Sequence, residues 1–266
     1  MRSWAKVFLA LGLLGGPVHA RAWGHAGHQA IALLAQKRLS PKAQAWVREN
    51  LQGESIEAAA VWPDLISHRR TETAPWHYIN LPVAREDGPR QWQKYCGKEG
   101  CLVSAIQDDI QLLQNRSASP AQRKEALRFL IHFIGDIHQP LHCADDKDRG
   151  GNDKTVYVRG RGTSLHQLWD DALLAHRSAK TELVTRFIEK KLLDQALARA
   201  AKQGSVEDWL QESATLARER IYPLFRERRG NLSKEDLATW QPLVDQQLVR
   251  ATVRLAQTLE NLASKP

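Results

Sequence analysis

The sequence predicts a mainly α, single-domain chain of many helices with one short β-hairpin. Three observations lead there. Apolar residues recur at helical spacing through most of the chain, helix-start signals precede several of these stretches, and a single short alternating run, Thr155-Val-Tyr-Val158, follows a glycine-rich turn. No internal repeat and no low-complexity linker divides it.

The opening MRSWAKVFLALGLLGGPVHARA has a basic start at Arg2 and Lys6, a short apolar run from Val7 to Gly16, and a small-x-small end at Ala20-Arg21-Ala22. That pattern is a cleaved signal peptide over 1–22, with a cut after Ala20 as the alternative; the apolar run is too short for a stable membrane anchor. The working domain is then 23–266, exported to a bacterial periplasm or the medium.

HQAIALLAQKRL is the first amphipathic stretch, and Ser40-Pro41 opens the second, with Ser as N-cap and Pro in the first turn. Ala121 to Gln139 is the central helix, stopped by Pro140. The hairpin at Thr155 has Arg161-Gly162 near its turn, and Leu165 to Leu174 returns to helix. Lys180 to Lys202, Ser205 to Tyr222 and Ser233 to Ala263 form three long amphipathic helices. Ser205 with Asp208 and Ser233 with Asp236 resemble capping boxes.

The net charge of +8 falls to +5 once a leader carrying Arg2, Lys6 and Arg21 is removed, and this modest positive charge favours a polyanionic partner by long-range steering, a weak signal alone. Cys96 and Cys101 in CGKEGC suit a small disulfide loop in an oxidising compartment, since no second cysteine pair offers a zinc site; Cys143 is left as a free, partly buried thiol.

All ten histidines lie at or before His176, so the chemistry gathers ahead of the C-terminal helices. His132 and Asp136 stand four apart and share a helix face, and His166 and Asp170 repeat the spacing. An isolated HxxxD is usually a buried hydrogen bond; a repeated one, with His142 just past Pro140, points to more than one divalent ion. Asp64 in VWPDLI and His77 in PWHYINLP are further ligand candidates, each delivered by a loop. Imidazole and carboxylate without thiolate pairs suit zinc, which brings the pKa of bound water to about 7 for hydrolysis.

In order, WGHAGH, WPD, PWHYIN, HFIGDIHQPLH, GGND and LHQLWD resemble the trinuclear-zinc nucleases typified by the fungal single-strand nucleases S-one and P-one, across Trp23 to Asp170. The resemblance implies a phospholipase C/P-one nuclease-like fold and three zinc ions. The Trp23 α-amine and carbonyl oxygen, His28 and Asp136 would hold one ion, and Asp64, His77, His132 and Asp136 its neighbour, bridged by Asp136. His142, His166 and Asp170 would hold the third. His25, His138 and His176 stay outside, with His138 in a supporting place. Tyr78 would stack a base, Asn80 would bond its edge, and Asn152 would sit by the scissile phosphate, with Asp64 and Asn152 as catalytic residues. Ser67 stands where some fungal relatives have lysine, so a phosphate contact from that loop would shift to Arg69 or Arg70, or be lost.

The implied activity is metal-hydroxide hydrolysis of single-stranded RNA and DNA to 5′-phosphorylated products, and removal of 3′-phosphates from nucleotides, by a monomer without a membrane anchor. A zinc phospholipase C is the alternative, disfavoured by the short Trp23-to-His28 spacing and by Tyr78 with Asn80. A non-enzymatic zinc-binding export protein leaves two open ligand sets unexplained.

Overall fold

In a computed structural model, residues 23–84, 89–175 and 180–265 are described. The expected signal peptide and His176 lie outside them. The chain is mainly helical, as expected, around one apolar core.

Helix α1 (Gly24–Lys37) leads into α2 (Pro41–Asn50), whose N-cap Ser40 side chain accepts from Ala43 N. Helix α3 (Ile56–Ile66) continues through Pro63. A proline φ already suits a helix, so the chain gives up one hydrogen bond there without breaking. A 3-10 segment (Thr71–His77) follows, then the short strand β1 (Leu81–Pro82), a second 3-10 segment (Pro89–Tyr95) and α4 (Leu102–Gln114).

The central helix α5 (Pro120–Asp136) starts at a capping box of Ser119 and Gln122. It ends three residues earlier than Pro140 suggests. Gln139, just before that proline, is pushed to an extended backbone (ψ 112), and a 3-10 turn (Pro140–His142) takes over. From Ala126 onward every α5 residue but Arg128 is buried, between α3 and α4. Each fully buried Leu, Ile or Phe there contributes roughly 1.5–3 kcal/mol.

Strand β2 (Ala144–Asp145) pairs in parallel with β1, Leu81 opposite Ala144. The hairpin is β3 (Thr155–Val158) with β4 (Arg161–Ser164), and its turn is Arg159-Gly160 rather than Arg161-Gly162. Both turn residues have positive φ (51 and 75), the twist that matches a two-residue hairpin.

Leu165 to Ala175 is helical, as α6 (Leu165–Gln167), a π-helical turn (Leu168–Ala172) and α7 (Leu173–Ala175). The first of the three expected long helices is two: α8 (Thr181–Leu192) and α9 (Gln195–Ala200). The second is α10 (Val206–Leu216), a π-helical turn (Ala217–Ile221) and α11 (Tyr222–Arg228), the π turn preceding Pro223. A strand β5 (Asn231–Leu232) joins β3 in parallel, and α12 (Lys234–Ser264) crosses the core against α1, α2, α5 and α8. Both serine–aspartate capping boxes form. Among the described residues, no helix is long and apolar enough to cross a membrane.

Candidate metal centre

Helix α5 carries His132 and Asp136 on one face, both fully buried. Asp64 reaches them from α3, not from a loop, because the helix runs on past Pro63. His77 arrives at the end of the 3-10 segment and His28 from α1. Asp136 Oδ2 lies 3.0 Å from His77 Nδ1 and 3.4 Å from His132 Nε2, and its Oδ1 lies 3.4 Å from His28 Nε2. Asp64 Oδ1 is 3.5 Å from His132 Nε2. The His28 ring stacks on His132 at 4.0 Å. It can do so because residue 135 is glycine: a Cβ there would come within 2.7 Å of the His28 ring.

A second cluster forms where the turn after α5 meets α6. His142 Nε2 and His166 Nε2 stand 3.1 Å apart, with Asp170 Oδ2 3.3 Å from His166 Nε2 and Oδ1 3.8 Å from His142 Nε2. The GGND loop fixes this cluster. Gly150 has φ 62, a Cβ there would meet Leu141 O at 2.4 Å, and its own carbonyl accepts from His166 Nδ1 at 2.7 Å. His142 Nδ1 donates to His77 O at 2.7 Å, which ties the two clusters together.

Three groups therefore converge: His28 with His132 and Asp136, Asp64 with His77 and His132, and His142 with His166 and Asp170. Their protonation pattern fits cations. A carbonyl can only accept, so Nδ1 carries the proton in His132 (to Ala60 O, 2.7 Å), His142 and His166. Each Nε2 lone pair then points inward, at another ligand atom. Asp64 Oδ2, Asp136 Oδ1 and His28 Nε2 are buried with no hydrogen-bond partner. Such unpaired groups are costly unless a metal takes them up.

The electrostatics agree. Burial holds His132, His142 and His166 below the usual imidazole range, His166 to about 3, so all three are neutral donors. Burial raises Asp170 well above the carboxylate range, against Gln139. Burial raises Asp64 too, opposed by His28 and His77. Asp136 goes the other way: burial opposes its ionisation, but the neighbouring His28 and His77 outweigh it and hold it well down.

Above the clusters opens a cleft of about 230 Å³. Asp64, His77, His142 and His166 reach its floor, and Tyr78, Asn80, Arg149 and Asn152 line it as well. Tyr78 is 41% exposed. Asn152 donates from Nδ2 to Arg149 O at 2.9 Å. Ser67 lines the cleft but donates to Asp64 O; Arg70 is committed to Glu72 and Glu125 at 2.8 Å each, and Arg69 is exposed and absent from the lining.

Trp23 caps α1 with φ 53, is fully buried, and donates from Nε1 to Gly135 O at 3.0 Å, beside Asp136. His138 touches no ligand candidate: Nδ1 donates to Ile134 O and Nε2 accepts from Arg254 at 2.9 Å. The supporting place falls instead to Gln139, overlooked in the sequence, whose Nε2 donates to Asp170 Oδ1 at 2.6 Å. Its position just before Pro140, at the cap of the next turn, was the available signal. Cys143 is fully buried rather than partly so, and donates to Ile137 O. Cys96 and Cys101 are joined by a disulfide.

The family described as S1/P1 Nuclease matches residues 23–264. Endonuclease 2 of Arabidopsis thaliana is 28% identical over 288 residues, 96% of this chain and 96% of that protein. Nuclease S1 of Aspergillus oryzae is 27% identical over 274 residues, 92% of this chain and 93% of its own. Nuclease P1 of Penicillium citrinum is 36% identical over 156 residues, 56% of this chain and 57% of its own. The family match runs from the buried tryptophan that caps α1 to the last turn of α12, so it takes in the whole helical domain, and the chain belongs to the S1/P1 nuclease family of hydrolases that act on nucleic acids.

Proposed function

We propose that the protein is a zinc-dependent phosphodiesterase of single-stranded RNA and DNA that leaves 5′-phosphorylated products and also removes 3′-phosphates from nucleotides. The observation that carries this is the stacking of three buried His/Asp groups beneath a cleft whose wall bears an exposed aromatic ring.

The ligand assignment is the one the family resemblance implies, and the three buried His/Asp groups support it. His28 and Asp136, with the Trp23 amine and carbonyl oxygen, would hold one ion; Asp64, His77, His132 and Asp136 its neighbour; His142, His166 and Asp170 the third. Bound zinc supplies Lewis acidity to the phosphate and makes water a nucleophile near neutral pH. Asp64 Oδ2, unpartnered at the cleft floor, accepts a hydrogen bond from the attacking water and so aims it at phosphorus. Asn152 spends one amide hydrogen on Arg149 O and offers the other to a phosphate oxygen. Tyr78 stacks a base and Asn80 bonds its edge. Stacking tolerates every base, contributes roughly 1–3 kcal/mol per base, and requires a base free of its duplex.

The N-terminus belongs to the same reading. Cleavage of 1–22 during export would turn the Trp23 nitrogen from an amide into an amine able to bind metal. The mature chain is proposed to act as a monomer in a periplasm or the medium.

The test is a substrate panel of single-stranded RNA, single-stranded DNA, duplex DNA, 3′-AMP and phosphatidylcholine, each with and without chelator. Single strands and 3′-AMP are hydrolysed, duplex and lipid are spared, and chelator abolishes turnover. Hydrolysis of lipid without nucleic acid would instead establish the phospholipase C alternative, which the family match does not favour.

A further inference from the structure

Among the described residues that line the cleft, Arg149 is the lone lysine or arginine. It sits on the loop that also carries Gly150 and Asn152, and it shares the cleft lining with Tyr78 and Asn80. Its backbone is left-handed, with φ 55. Its side chain is 76% exposed and paired with an Asp153 carboxylate that is itself half exposed. An exposed ion pair contributes little, no more than a left-handed backbone costs a non-glycine residue, so stability does not account for an arginine here.

The pairing is one-sided. Arg149 Nε lies 3.1 Å from both Asp153 oxygens and Nη2 lies 2.7 Å from Oδ1. Asp153 thus takes the Nε/Nη2 edge and leaves the Nη1/Nη2 edge, the fork that binds a phosphate bidentately. Asp153 also limits the rotamers of a long side chain, so less freedom is lost on binding. The depth of the residue tells which phosphate it meets. The reacting phosphate must lie on the floor, against the buried ligand groups, whereas Arg149 stands at the rim.

We propose that Arg149 binds a backbone phosphate flanking the scissile one, and so favours polynucleotide strands over mononucleotides, which lack that phosphate. The assignment rests on the single-strand nuclease reading and deepens it. The sequence left a phosphate contact from the Ser67 loop either shifted to Arg69 or Arg70 or lost; Arg70 is held by Glu72 and Glu125, and Arg149 supplies the charge at the cleft.

The experiment compares the full-length mature protein with Arg149→Ala and Arg149→Lys. Binding of a fluorescein-labelled, phosphorothioate-linked single-stranded oligodeoxythymidine is followed by anisotropy across a sodium chloride series. KM and kcat are measured in parallel on an unmodified oligonucleotide and on 3′-AMP. For Arg149→Ala, Kd and oligonucleotide KM rise about threefold to tenfold, and the slope of log affinity against log salt becomes shallower by about 0.7. Oligonucleotide kcat and both 3′-AMP parameters stay within about twofold, and lysine restores the slope but only part of the affinity. An unchanged slope overturns the proposal, as does an equal loss on 3′-AMP, which would mean contact with the reacting phosphate or a structural role. A parent protein that binds the strand with this Arg149-dependent slope but hydrolyses nothing would sink the nuclease reading and leave the Arg149 contact standing.

Discussion

His142 and His166 face each other through Nε2 atoms 3.1 Å apart while each Nδ1 donates to a backbone carbonyl. Neither facing nitrogen carries a proton, so two lone pairs confront one another in a buried place. A cation held by His142, His166 and Asp170 would resolve this. His132 Nε2, whose ring likewise donates from Nδ1 to a carbonyl, stands 3.2 Å from His77 Nδ1, which also lies 3.0 Å from Asp136 Oδ2.

Metal content follows from these pairings. The mature protein should bind three zinc equivalents, His166→Ala two, and Asp136→Ala one, because Asp136 bridges two ions. Elemental analysis after gel filtration reads this directly. Loss of a single ion from Asp136→Ala would contradict the bridge. Chelation should lower the unfolding midpoint of the parent, since a ligand bound only by the native state stabilises it.

A free Trp23 amine should be needed for one ion. A chain that retains residues before Trp23 should hold less zinc than the cleaved chain and turn over single-stranded DNA at least about tenfold more slowly, in keeping with what a disturbed metal site costs. Full zinc content and full activity in the extended chain would refute this.

Gln139 touches no proposed ion, yet its Nε2 donates to Asp170 Oδ1 and its Oε1 accepts from Leu141 N at 2.7 Å. Gln139→Leu should weaken zinc binding at the His142, His166 and Asp170 group about 10- to 100-fold. Competition with a chromophoric chelator measures it, and zinc retention by the other groups separates this effect from unfolding.

Acid should expose the α12 cap. Asp236 accepts from Ser233 N and from Arg228, and these bonds depress its pKa below the ordinary 3.8. A depressed carboxylate stabilises the fold above its unfolded pKa, and that contribution fades as pH falls through the folded value. Asp236→Asn should therefore be less stable than the parent at pH 7, with the gap closing below about pH 4. Denaturant midpoints across pH 2.5–7 test the sign; a gap that widens in acid would be the wrong one. Ser233→Ala should cost about 1 kcal/mol at neutral pH.

Much of the centre was legible because metal chemistry restricts residue type and helical spacing restricts placement. His132 with Asp136 and His166 with Asp170 stand on shared faces as their four-residue separation requires. Boundaries were harder. Pro140 looked like the end of α5, yet the restriction it places on Gln139 ends the helix sooner. Asp64 was expected on a loop, yet the φ of Pro63 lets α3 carry it to the floor. Lys180 to Lys202 has one continuous amphipathic pattern, and the helix still stops at Leu192 before restarting.

Local pattern by itself determined a mainly helical chain, the repeated HxxxD faces, the disulfide loop and the capped starts of α2, α10 and α12, because each depends on residues within a turn or two of one another. Tertiary structure decided the rest. It set His28 on His132 across α1 and α5, gave the supporting contact to Gln139 on Asp170 while His138 went to Arg254, and turned Arg70 toward Glu125 while leaving Arg149 at the cleft. Those contacts join segments far apart in the chain, and packing of the core, not the spacing of any one motif, brings them within hydrogen-bond reach.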